Sequence, residues 1–188
     1  MNYLKLLIDP ENMMAVSISE KTEFLSFFYF RSMSVLVAPL MANSSDLKLA
    51  RDDFHMAQLQ NLILDFVTFC IEHHTYHMRN FLNKKDLLRR VLVLLKSKHQ
   101  FLQLSKNETN NLHSTNFLVV VLGALRFLRK ILALKDEQYN ITIVRNNLFA
   151  PIIEAYKANK RRYNLLNSAL IELFEYIRQV IVHLESEI

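Results

Sequence analysis

The stretch Cys70-Ile71-Glu72-His73-His74-Thr75-Tyr76-His77 holds three of the seven histidines and the only cysteine of the chain. On a helix, Cys70, His73 and His77 share one face at i, i+3 and i+7, with His74 beside them. Imidazoles four residues apart can both reach one zinc ion at about 2.0 Å from each nitrogen. Cys70, His73 and His77 are therefore the candidate metal ligands, and a fourth would have to come from elsewhere. Glu72 precedes both histidines instead of lying between them, the wrong order for an H-E-x-x-H metalloprotease. Packing is the competing reading. Cys70 continues the apolar stripe of Phe66 and Phe69, and a buried free cysteine behaves as a small hydrophobe. Imidazoles at a helix C-terminus can donate to its orphan carbonyls and meet a favourable dipole. The balance favours a structural role, with no metal and no cofactor.

Other chemistry is poorly supplied. One glycine, Gly123, cannot build a P-loop, a nucleophile elbow or a Gly-rich cradle. Glu172 with Glu175, and Asp136 with Glu137, occupy ordinary helix-surface positions, so no intrinsic enzyme is expected. Asn164 and Asn167 are a second candidate site. Both are read as lying mid-helix, where asparagine is a poor helix former. There they either grip a partner's backbone or satisfy an adjacent inter-helix turn, and the second reading weighs more.

The elements that would position these residues are helical. Of 188 residues about half are apolar, and three prolines and one glycine leave almost no punctuation for sheets. The fold class is read as all-α. A lone cysteine suits a reducing compartment. No signal peptide is expected, and the longest apolar run, 117–125, is far short of the roughly 18 residues a membrane span needs. Sequons at Asn43, Asn107 and Asn140 are chance matches without secretion. The net charge of +5 suits anionic partners, yet the basic residues are scattered over helical turns and read as solvated faces.

Helical periodicity predicts a helix over Glu20 to Val37 carrying Phe24, Phe27, Phe28, Met33 and Val35. A polar loop follows over Asn43 to Asp53, then one long helix over Phe54 to His77 with Leu59, Leu62, Ile63, Phe66, Phe69 and Cys70 along one side. Asp86 is placed as the N-cap of Leu87 to Leu95, and Asn147 as the cap of a helix with Pro151 in its first turn. Ala124 to Leu134 and Arg162 to Ile181 complete the set. Two pairs look repeated. Asp86, Leu87, Val91 and Leu92 align with Asn147, Leu148, Ile152 and Ile153 at an offset of 61, and Gly123-Ala124-Leu125 with Ser168-Ala169-Leu170 at 45. Paired helices at a period of roughly 45 point to a HEAT- or armadillo-like solenoid. The shrinking offset marks an insertion, Ser105 to Leu122, read as a disordered loop or the translation of a retained intron.

The segments "EKTEFLSFFY", "APLMANSSD", "TFCIEHHTYHMRNFLNKKDLLRRVLVLLKSKHQFL", "ALRFLRKILALKDEQYN" and "RYNLLNSALIELFEYIR" resemble the central domain of the protein phosphatase 4 regulatory subunit 3 (Smek) family. The resemblance runs from about Leu7 to Arg178. It implies an armadillo-like solenoid over residues 1–188, acting as a non-catalytic scaffold in a Ser/Thr phosphatase complex. The implied partners are the phosphatase 4 catalytic subunit, regulatory subunit 2, and substrate or adaptor proteins, in nucleus and cytoplasm. It also implies roles in DNA-damage repair, mitosis, and insulin and stress signalling, and no metal at the histidines. Family members are expected to carry an EVH1 domain ahead of this region and a charged tail beyond it, and neither lies within the 188 residues. They also lack the insertion. Its 18 codons keep frame, Ser105-Lys106 read as AGT-AAG contains a GTAAG donor, and the Val-rich tail suits T-rich codons before an acceptor. Splicing would leave "LQLSALRF". The alternative function is a basic α-solenoid that binds nucleic acid.

Overall fold

A computed structural model describes residues 1–42, 54–95, 111–159 and 163–186, and every described element is helical. The predicted loop from Asn43 to Asp53 lies outside the described residues.

The N-terminal part holds α1 (Asn2–Ile8), α2 (Ile18–Phe27), a π-helical turn (Phe28–Ser32), α3 (Met33–Leu36) and α4 (Ala38–Met41). Ser17 and Glu20 form a capping box that starts α2, each side chain meeting the other's backbone N–H. Sequence periodicity put Phe27 and Val35 on the core stripe, yet they are 61% and 74% exposed. The π turn is the reason: wider winding shifts the inward face to Phe28, Tyr29, Met33 and Val37, all buried.

From residue 54 the chain forms α5 (Phe54–His73), α6 (Thr75–Lys85), α7 (Leu87–Val93), α8 (Asn111–Ala133), α9 (Glu137–Arg145), α10 (Ala150–Asn159) and α11 (Leu165–Ser186). These stack in rows. The long helices α5, α8 and α11 pack successively, with α5 on α8 the most extensive contact of the chain. A second row runs α4, α7, α10, and each of its members also packs on the long helix that follows it. A third links α6 to α9 through Arg79 and Asp136 at 2.8 Å. Gly123 lies against Asn61 and Leu64, and Lys130 pairs with Glu72 farther along, so α5 and α8 run parallel. The unit is therefore two short helices and one long one, α6-α7-α8 and then α9-α10-α11, where sequence alignment found only the last two of each. This is the stacking of an α-helical solenoid.

With one glycine in the chain, three junctions are turned by other residues in left-handed backbone: Asp86, Lys135 and Asn147, with φ of 52°, 52° and 49°. Asn147 was expected to cap α10. It instead closes α9: the Asn147 N–H donates to the Val144 carbonyl and the Leu148 N–H to the Ile143 carbonyl, the paired bonds of a Schellman stop. Asp86 stands at the N-cap position of α7, as expected, but without a side-chain cap bond; it also ends α6 and pairs with Arg89 at 3.2 Å. The aligned residues Asp86 and Asn147 thus share one backbone state.

The core draws on every row. Leu87, Leu88, Val91, Leu92, Leu94 and Leu95 are buried in one cluster with α5 and α8 residues such as Ile63, Phe66, Ala124 and Phe127. Each such side chain contributes about 1.5–3 kcal/mol of burial. The segment from Ser105 to Leu122 departs from the disordered loop in its described two-thirds. Ser105 to Asn110 lies outside the described residues, but Asn111 to Leu122 is helical and Val120 and Val121 are buried. The apolar tail continues the inward stripe of α8, so a helix already present extends through it.

Candidate functional site

The histidine stretch does not sit on one helix. The predicted helix over Phe54 to His77 breaks at His74, whose φ of −125° and ψ of 48° separate α5 from α6. The break divides the candidate ligands. Cys70 is fully buried, His73 is exposed with its ring 4.3 Å from that of Phe69, and His77 stacks on Tyr29 at 5.4 Å. The structure does not bring Cys70, His73 and His77 together, and no group of three metal-competent side chains converges among the described residues.

His74 occupies the centre instead. It is 4% exposed, and both ring nitrogens are engaged. Nε2 lies 2.8 Å from the Ile8 carbonyl and Nδ1 lies 3.2 Å from the Tyr29 hydroxyl. A carbonyl only accepts, so Nε2 carries the proton, and the Tyr29 O–H donates to Nδ1. The buried Cys70 thiol lies beside the same hydroxyl. The order is Tyr29 to His74 to Ile8, a buried line of donors that ends on the last carbonyl of α1. Sequence reasoning had the imidazoles tying off carbonyls of their own helix. The carbonyl belongs to another helix, 66 residues away.

The electrostatics match a structural seam. Burial lowers the His74 pKa, partly opposed by its bond to Ile8, and holds the ring neutral. Burial lowers His77 too. Burial pushes the Cys70 thiol up to about 12 and the Tyr29 phenol well above its usual range. A thiol held protonated is neither nucleophile nor metal ligand.

The asparagine pair was misplaced by one turn. Asn164 precedes α11, and its Oδ1 accepts the Asn167 N–H at 2.9 Å as an N-cap. Its amide also pairs reciprocally with Asn159, the buried last residue of α10, at 3.0 and 3.3 Å. Asn164 therefore fastens the α10–α11 turn. Asn167 sits half-buried in the first turn of α11. The paired carboxylates also have structural partners. Asp136 caps α9 through the Gln138 and Tyr139 N–H groups and binds Arg79, while Glu172 and Glu175 pair with Arg129 and Arg178. The Ser17–Glu20 capping box and the Tyr29 contact escaped sequence reasoning. The S-x-x-E spacing at residues 17–20 was a signal for the first, and nothing local marked the second.

Stacked helices whose polar constellations are spent on caps, turns and ion pairs define an α-helical solenoid protein. The profile described as "Phosphatase 4 regulatory subunit 3" matches residues 1–108 and 107–184. The chain belongs to that family. It is 49% identical over 178 residues to the serine/threonine-protein phosphatase 4 regulatory subunit 3 of Drosophila melanogaster, covering 95% of this chain and 16% of that protein. It is 39% identical over 181 residues to protein PPP4R3C1 of Mus musculus, covering 92% of this chain and 20% of the relative. The chain thus spans about a sixth to a fifth of the length of these curated relatives. No solved structure matches it.

Proposed function

We propose that the chain is a non-catalytic, armadillo-like scaffold segment of a protein phosphatase 4 regulatory subunit, acting through protein contacts. The family match across residues 1–108 and 107–184 carries this reading. Stacked rows held by a continuous core give a stiff body, and a stiff body that holds an enzyme and its substrate together raises their effective concentration. The partners are the phosphatase 4 catalytic subunit, regulatory subunit 2, and substrate or adaptor proteins, in nucleus and cytoplasm. Asn167, not Asn164, is the asparagine available to a partner. A solenoid that tracks phosphates needs a stripe of free cations. Six of the described cations, Lys5, Arg79, Arg89, Arg129, Lys130 and Arg178, are engaged by carboxylates and are not free to track phosphates. No described helix is long and apolar enough to cross a membrane. Co-purification of the chain with the phosphatase 4 catalytic subunit tests the proposal.

A further inference from the structure

Between α8 and α11 runs a shallow groove of about 230 Å³. Its floor is apolar: Leu125 and Leu173 are buried to within 3%, and Leu122 and Ala169 line it with them. Its rim is charged, with Arg126 and Arg129 on α8 facing Glu172 on α11. The volume is below the roughly 300–1,000 Å³ of small-molecule and cofactor sites. It suits one apolar side chain projecting from a longer ligand.

The charges say which ligand. Glu172 is taken by Arg129, whose guanidinium also lies 5.4 Å over the Tyr176 ring, and Glu175 on the next turn of α11 is taken by Arg178. The acids of this face are therefore neutralised. Arg126 is exposed and has no ion-pair or hydrogen-bond partner among the described residues, leaving one surplus cation at the edge of an apolar floor. Arg129 is itself only singly engaged by Glu172, and a guanidinium has five N–H donors in a fork that fits carboxylates.

We propose that this groove docks a short segment of another protein in which one apolar anchor is flanked by acidic side chains. The anchor fills the space over Leu125, Ala169 and Leu173, and a carboxylate pairs with Arg126 while a second reaches the free edge of Arg129. The proposal rests on the protein-binding role given above and adds the chemistry of the partner.

The test is selection of a random peptide library against the whole chain, followed by titration of a fluorescein-labelled selected peptide. The selected sequences are expected to carry Asp or Glu beside Leu, Ile or Phe. Arg126→Glu is expected to weaken the peptide at least 10-fold, Ala169→Trp to do the same by filling the groove, and Arg89→Glu, on a remote helix, to leave it unchanged. Thermal unfolding of each variant confirms the fold. A library that yields no binder, sequences with no excess of acids, or affinity unchanged by both groove substitutions overturns the proposal. None of these readouts involves the phosphatase, so failure here is separate from failure of the scaffold role.

Discussion

His74 joins three segments of the chain through a ring whose two nitrogens have fixed roles. Replacing it with alanine leaves the Ile8 carbonyl and the Tyr29 hydroxyl buried without that partner, and the variant is expected to lose about 2–3 kcal/mol in urea unfolding. The same site sets a pH response. In the unfolded chain the imidazole titrates near 6.5, whereas in the fold burial lowers its pKa. The unfolded state therefore binds the proton first as pH falls, so the stability His74 contributes is complete above about 6.5 and declines below it. His77 shifts in the same direction, so His74→Gln should reduce the slope of stability against pH below 6.5 without abolishing it. A slope unchanged in that variant would remove His74 from the account. The sequence favours a structural role for these histidines, because Cys70 lies on an apolar stripe. It could not show the partners: Tyr29 and Ile8 are 45 and 66 residues distant, and no spacing rule reaches across that.

At the scale of elements, ends and close approaches decide the outcome. Asn164→Ala removes the N-cap of α11 and its pairing with Asn159, and is expected to cost about 1–2 kcal/mol, read as a lower denaturation midpoint with the slope unchanged. Gly123 is the place where α8 meets α5. A Cβ there would stand 3.1 Å from Asn61 Oδ1 and 3.2 Å from Leu64 Cδ1, so Gly123→Leu overpacks the contact and should cost about 1–3 kcal/mol. Equal stability of that variant would mean the two helices are not held so close. The spliced alternative "LQLSALRF" keeps a small residue, Ser, just before Ala124, where the approach demands one. We propose that the transcript omits the 54 nucleotides for residues 105–122, and a cDNA that retains them rejects this. Helix existence was readable from periodicity, and the apolar run Leu87 to Leu95 is buried at six of its nine positions. Boundaries were less so. Asp86 does stand at the N-cap position of α7, but Asn147 stops α9 instead of starting α10, because in a chain with one glycine the good N-cap types also supply the left-handed stops. The π turn at Phe28–Ser32 leaves no mark on residue type, so Phe27 and Val35 went to the wrong face.

For the molecule as a whole, the internal alignment at offsets of 61 and 45 pairs residues that are mostly inward in both copies: Leu87 with Leu148, Val91 with Ile152 and Leu125 with Leu170 are buried alike, whereas Leu92 is buried and Ile153 is exposed. It missed α6 and α9, whose exposed polar turns carry too few apolar positions to align. The stack explains how the chain could act without a catalytic centre, as a body that presents side chains along its rows to other proteins. The most direct measurement is co-purification of the 188-residue chain with the phosphatase 4 catalytic subunit, with and without residues 105–122. The account predicts that at least one form retains the catalytic subunit through washing. Recovery of neither form with the catalytic subunit would contradict it.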